Sequence, residues 1–369
     1  MLEYSAGMGN LVHLEQGEPD FTTPKHIVEA AVKAARDGFT HYTETDGTLE
    51  LRQAIAEKLN NENHIDVDAK TEVTVTSGSQ EAMFVTALGF LDRGDEALIL
   101  DPYYPAYFED TLITEAKPVT VPLDEDSNYG VEVQILEEKI TDKTKMIWMC
   151  NPCNPTGHVF SKQDLESIAE VAKRHDLIIF ADEIYEKLVY DAAKHMSIGS
   201  LPGMEDRTIT VNGFSKAYAM TGWRIGYIAA EKKLSATLRK LHYYATLCPN
   251  AISQKAAVAA LTGPQDCLQE MLREYSRRRK LVVDELNLIK SSPYTVPKGA
   301  FYVFPDFSAF EKSDEALALR LLKEARVVTV PGSGFGTSGQ GHLRISYSIS
   351  YEQVKEGMER IRTCIRGKA

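Results

Sequence analysis

A chain of 369 residues exceeds the size at which a single hydrophobic core stays efficient, so two structural units are expected. Its 41 basic and 53 acidic residues leave a net charge of -12 at pH 7. The short basic run Arg277-Arg278-Arg279-Lys280 falls inside a helical pattern, which disfavours nucleic acid as the main partner. No stretch reaches the roughly 18 to 20 apolar residues of a membrane span.

The start, Met1 to Gly7, has neither a basic leader nor an apolar signal core, and it lies close to the Gly17 motif discussed below. Five scattered cysteines suit reduced thiols better than a disulfide framework. A cytoplasmic location is the expectation. The Cys150-Asn151-Pro152-Cys153 spacing lacks the second pair a zinc site would need.

Helical periodicity runs over 24–37 and 48–63, joined by a turn-like segment from Tyr42 to Gly47. Short β-branched runs follow at 72–76, 96–100, 118–121, 145–149, 177–180, 208–211 and 224–228, with helices at 79–90 and 162–175 among them. Such alternation predicts an α/β domain with a mostly parallel sheet covered by helices on both faces. A long helical pattern over 264–289 then precedes strands near 300–304, 327–330 and 342–346. The expected division is a large domain over 36–289 and a smaller α+β domain made of 1–35 and 290–369.

Four features fall at the carboxyl ends of predicted strands, where sites form in open α/β sheets. Thr76-Ser77-Gly78-Ser79-Gln80 passes from strand through a small-residue turn into a helix, and offers backbone N–H groups to a phosphate. Asn151-Pro152-Cys153-Asn154-Pro155-Thr156-Gly157 fixes an irregular loop that aims an amide at the strand ends. Asp182 follows a fully apolar strand and needs a cationic partner, for which a protonated ring nitrogen would serve; Tyr185 lies three residues on. Lys216 sits in an apolar, backbone-rich turn that favours its neutral, nucleophilic form, and Arg224 is suited to a bidentate phosphate contact.

Taken singly, these features are compatible with a capped turn, a structural loop or a salt-bridged lysine. Together they describe pyridoxal 5'-phosphate. Gly332-Ser333-Gly334-Phe335-Gly336 resembles a nucleotide-binding turn but opens no helix of a βαβ unit, so a nicotinamide site is not expected there. A flexible loop at the edge of the site is the reading instead.

The ordered motifs resemble the fold type I pyridoxal-phosphate enzymes, specifically class I/II aminotransferases of the aspartate and aromatic kind. Gly17-Glu18-Pro19-Asp20-Phe21, the Asn151 to Gly157 loop, Asp182-Glu183-Ile184-Tyr185 and Ser215-Lys216 carry the resemblance. Thr221 to Gly226, Gly299-Ala300-Phe301-Tyr302 and Leu343-Arg344-Ile345-Ser346-Tyr347 complete it. The resemblance implies that Lys216 forms the internal aldimine and later carries the substrate's α-proton, while Asp182 keeps the ring nitrogen protonated. Asn154 and Tyr185 would bond the phenolic oxygen, and Tyr104 would stack on the ring. Gly78, Ser79, Gln80, Ser215 and Arg224 would hold the phosphate. Tyr42 would reach the phosphate of a neighbouring subunit, implying a homodimer with shared active sites.

Arg344 and Gly17 would receive the α-carboxylate of an amino acid or 2-oxo acid, with Asn154 beside them. The implied activity is ping-pong transfer of an amino group to a 2-oxo acid such as 2-oxoglutarate; a C–S β-lyase or another α-carbon reaction is the alternative. This sequence departs from the family pattern in having Gly213 three residues before the lysine, where relatives often carry a phosphate-binding serine. It also has no arginine in the Leu241 to Pro249 stretch, where some aspartate enzymes hold a distal carboxylate; Tyr243 and Tyr244 there leave aromatic or medium apolar substrates open. Relatives carry a longer amino-terminal segment, so a short or truncated arm is expected.

Overall fold

The computed structural model describes residues 7–366. Its centre is a seven-stranded sheet of β2 (Val73–Thr76), β3 (Glu96–Asp101), β4 (Lys117–Pro122), β5 (Thr144–Cys150), β6 (Ile178–Asp182), β7 (Thr208–Gly213) and β8 (Gly226–Ala229). Their order across the sheet is β2-β8-β7-β6-β5-β3-β4. The steps from β4 through β3, β5 and β6 to β7 are all parallel, while β8 runs antiparallel to both β7 and β2. Helices on both faces bury β3 and β6 along nearly their whole length, which is why those strands read as unbroken apolar runs.

This topology concentrates chemistry on one edge. Asp101, Cys150, Asp182 and Gly213 terminate parallel strands there, and Thr76 pairs with Gly226 at the start of β8. The loop before β8 and the turn after β2 therefore meet, although they are about 150 residues apart in sequence.

A second layer of structure stands over that edge. Strand β1 (Val12–His13) pairs in parallel with β10 (Val327–Val328), while β11 (Val330–Pro331), β12 (Leu343–Ser346) and β9 (Tyr302–Val303) form an antiparallel three-stranded sheet. Helix Tyr351–Arg366 covers it with Val354, Met358, Ile361 and Ile365, an i, i+4, i+7, i+11 stripe that is fully buried.

Helices appear at 79–90, 162–174 and 266–287, close to the expected bounds. The Lys162–Arg174 helix owes its sharp start to a capping box, with Ser161 Oγ accepting from Asp164 N at 3.1 Å while Asp164 accepts from Ser161 N at 2.9 Å. The glycine-rich segment expected as a flexible loop forms two short 3-10 turns, Gly332–Phe335 and Thr337–Gly339, with Phe335 buried. Asp101, the buried last residue of β3, ties it down.

Candidate active site

A cavity of about 570 Å³ opens at the carboxyl edge of the large sheet. The wall nearest the strands carries Asp182, Tyr185 and Asn154; the loop before β8 brings Ser215, Lys216 and Arg224. Ser79 and Gln80 enter at the start of helix Ser79–Phe90, Tyr104 comes from the loop after β3, and the upper layer supplies Gly17 and Arg344. Tyr42 is 83% exposed and lies outside this cavity. Tyr243 and Tyr244 are exposed on a helix surface and also lie outside it.

Asp182 is fully buried, and its two oxygens accept from Tyr107 Oη at 2.7 Å and from Ile184 N at 3.1 Å. Among the described residues no basic side chain forms an ion pair with it. Burial pushes its carboxyl up to about 6, against the pull of those two donors and of Lys216. Behind it, Glu183 accepts from Ser197 Oγ at 2.6 Å and pairs with His195 at 3.1 Å, so the neighbouring carboxylate is satisfied and turned away from the cavity.

Lys216 Nζ donates to the Gly17 carbonyl at 2.5 Å and stands 6.0 Å from the centroid of the Tyr185 ring. Desolvation lowers its ammonium to about 8, partly opposed by Glu18 and Asp182. An amine so placed is neutral far more often near pH 7 than a surface lysine. It can act as a nucleophile or a base.

Beside helix Ser79–Phe90 the cavity is edged by backbone. Helix Ser79–Phe90 starts at Gly78 without any side-chain cap, so its first N–H groups and the positive end of its dipole remain available. Gly78 holds φ +83°, ψ 169°, and an added Cβ would come within 2.6 Å of Arg224 Nη2. Arg224 itself adopts a left-handed conformation that turns its guanidinium toward this turn, and it donates to the Thr221 carbonyl at 3.0 Å.

At the opposite end Arg344 is buried, donating to Asn154 Oδ1 at 3.0 Å and to the Glu15 carbonyl at 2.6 Å. Its Nε has no hydrogen-bond partner, and among the described residues no carboxylate pairs with it. The cavity therefore holds a buried anion and a buried cation that do not neutralise each other. An arriving molecule can satisfy both.

This geometry coincides with a family relationship. The family described as aminotransferase class I and II matches residues 9–361. The chain belongs to that family. It is 44% identical to an aspartate aminotransferase of Pyrococcus abyssi, covering 100% of this chain and 95% of the relative. It is 42% identical to aromatic-amino-acid aminotransferase 2 of Thermococcus litoralis, with the same coverage of 100% and 95%. The crystal structure of an aromatic aminotransferase from Pyrococcus horikoshii OT3 superposes with a TM-score of 0.95 at 44% identity, covering 100% of this chain and 99% of that one. The protein is a transaminase of the fold type I architecture.

Several lining residues of this aminotransferase carried no sequence-level assignment. Tyr107 was legible in principle, because it follows Tyr104 by three positions at the start of helix Ala106–Ile113, a spacing that directs both rings to one side. Tyr302 sits inside the quoted Gly299 to Tyr302 motif, yet nothing in the sequence reveals that its hydroxyl meets that of Tyr185 at 2.9 Å. Glu15, Gln16, Glu18 and Thr221 join the lining only through long-range folding.

Proposed function

We propose that this transaminase uses pyridoxal 5'-phosphate held by Asp182, Asn154, Tyr185 and Tyr104 around the ring and by Gly78, Ser79, Gln80, Ser215 and Arg224 around the phosphate. The observation that carries the reading is the buried, cation-free carboxylate of Asp182 in one cavity with the desolvated amine of Lys216 and the unpaired guanidinium of Arg344. The donor set fits the group: an uncapped helix start beside an arginine suits a phosphate, and a carboxylate lacking a cation suits a pyridinium. When bound, the cofactor supplies an aldehyde that condenses with amines and a cationic ring that accepts the electron pair of a broken bond at the substrate Cα.

The chain's own residues do the rest. Arg344 and the backbone at Gly17 orient the α-carboxylate of an amino acid, which fixes where its α-hydrogen points. Lys216, whose amine is the attachment point in the resting enzyme, takes that proton as a neutral base and returns it one carbon away. Asp182 stays ionised against a ring cation and so maintains the pull on the electron pair. Asn154, whose carbonyl oxygen is engaged by Arg344, keeps its amide N–H groups for the cofactor's phenolic oxygen, with Tyr185 beside it.

In a ping-pong cycle the donor would depart as a 2-oxo acid before a second 2-oxo acid, proposed as 2-oxoglutarate, takes its place at Arg344 and receives the amino group. The donor range spans the aspartate and aromatic classes of its relatives, since no arginine stands in the Leu241 to Pro249 stretch to single out dicarboxylates. Tyr42, exposed in the single chain, completes the phosphate site of a second subunit in a homodimer. Five unpaired cysteines suit a reducing cytoplasm.

We divide the chain into the two expected domains, with the amino-terminal boundary drawn before Lys25 instead of at 36. The reason is packing: Ile27 and Ala31 of helix Lys25–Arg36 share a core with Leu51, Val73 and Ala256, whereas Val12 bonds to Arg326 and Leu14 receives Ser346.

The test is a half-reaction. Holoenzyme mixed with L-aspartate, L-glutamate or L-tyrosine and no acceptor should release one equivalent of 2-oxo acid per active site and then stop, until 2-oxoglutarate restarts it. The lyase alternative is tested with an L-cysteine S-conjugate, which carries the Cβ–S bond that β-elimination breaks: continuous release of thiol, ammonia and oxo acid without an acceptor, with no 2-oxo acid from the other three donors, would refute the proposal.

A further inference from the structure

The Arg344 guanidinium is held by two rings in addition to its hydrogen bonds with Asn154 and the Glu15 carbonyl. Its central carbon lies 4.5 Å from the Tyr302 centroid and 4.9 Å from that of Phe335, so both rings bear on the guanidinium and restrict how it can turn. Phe335 is buried, meets Phe304 edge-on at 5.9 Å, and its carbonyl accepts from Tyr103 N at 2.9 Å.

The segment carrying Phe335 is anchored by one residue of the large sheet. Asp101 ends β3 with no solvent exposure, and its Oδ2 accepts from Thr337 N at 3.1 Å, Thr337 Oγ1 at 2.9 Å and Ser338 N at 3.3 Å. The approach is so close that an added Cβ at Gly336, which holds φ +111°, would fall 2.2 Å from Asp101 Oδ1. Among the described residues no basic side chain pairs with Asp101. A buried carboxylate without a cation is costly, and here the three donors of a single turn, all on Oδ2, offset part of that cost while Oδ1 has no hydrogen-bond partner among the described residues.

We propose that Asp101 is a positioning residue for substrate binding: by pinning the Thr337–Ser338 turn it sets Phe335 against Arg344 and so aligns the guanidinium, from the large sheet, with the incoming carboxylate. The inference rests on the reading of Arg344 as the carboxylate anchor. Because Asp101 touches neither substrate nor cofactor, its loss acts through the arginine alone. Weaker substrate capture is the expected signature, with the chemical step intact.

Steady-state kinetics of the holoenzyme with L-aspartate and L-tyrosine as donors test this. Asp101→Ala and Phe335→Leu are expected to raise KM for both donors about tenfold, the loss of roughly one well-placed interaction, with kcat within about twofold and cofactor affinity unchanged. Asp101→Asn keeps an acceptor for Thr337 and is expected to restore KM to within about threefold of the unmodified enzyme. Wild-type KM values in Asp101→Ala and Phe335→Leu, or losses confined to kcat or cofactor affinity, overturn the proposal; if Asp101→Ala does not fold, Phe335→Leu alone decides. Arg344→Lys is measured beside them. A KM rise there with none in Phe335→Leu removes the tie only, whereas a wild-type KM in Arg344→Lys removes the reading of Arg344 beneath it.

Discussion

Asp182 pairs a stability cost with its proposed binding role, and the two have opposite signs. Its folded-state carboxyl titrates near 6, above the ordinary carboxylate value, because burial penalises the charge. A group raised in this way contributes stability below the unfolded value near 4, and loses it as pH rises through about 6. Cofactor-free protein should therefore melt at progressively lower temperature, as far as Asp182 contributes, between pH 4 and 7. Asp182→Asn should flatten that trend while weakening cofactor affinity about ten- to hundredfold, the worth of a charge-assisted hydrogen bond. Thermal melts of the apoprotein and a spectroscopic cofactor titration measure both; an Asn variant that binds the cofactor as tightly as the parent would remove Asp182 from the ring.

At the scale of the element, the proposed phosphate site is the turn from β2 into helix Ser79–Phe90. Gly78 occupies a backbone region open essentially to glycine alone, and its missing side chain lets Arg224 close on the helix start. Gly78→Ala should cost about 1 to 3 kcal/mol in denaturant unfolding and displace the arginine, with a parallel fall in phosphate affinity. Unchanged stability and phosphate binding would count against the cup.

That helix and the strand before it were readable because a β-branched run, a small-residue turn and an apolar helix follow one another without a break. Helix Ala251–Thr262 was not readable: Ala256, Ala257 and Ala260 face the core among other small apolar residues, so no stripe separates an inside from an outside. Helix Tyr351–Arg366 had a clear stripe at Val354, Met358, Ile361 and Ile365 that the motif at Leu343 to Tyr347 overshadowed. The direction of β8 was hidden for another reason, since an apolar strand carries no mark of its orientation.

For the whole molecule, the site exists only where distant segments converge: residues 15–18, the loops after β2, β3, β5 and β6, the turn before β8, and β12. Motif order pointed to most of the residues that line the cavity, because most motifs sit at strand ends, whereas Tyr42 lies outside it. It could not reveal contacts such as Tyr107 with Asp182 or Phe335 with Arg344, which depend on how the upper layer rests on the sheet. Tyr42 extends the same logic beyond one chain. Its replacement by Phe should weaken cofactor binding several-fold although it lies outside its own chain's cavity, and sedimentation should give a dimer; a fully active monomer would contradict shared sites.

In the proposed reaction one amine, Lys216, moves the proton at the substrate Cα. Single-turnover release of 2-oxo acid, after a donor amino acid is mixed with Lys216→Ala protein reconstituted with pyridoxal 5'-phosphate, follows the half-reaction that contains that step, between condensation of the donor amine and hydrolysis. A fall of about a thousandfold or more, partly restored by a small added primary amine, is the predicted result. A rate within about tenfold of the unmodified enzyme would contradict it, since that would leave general-base catalysis to another group.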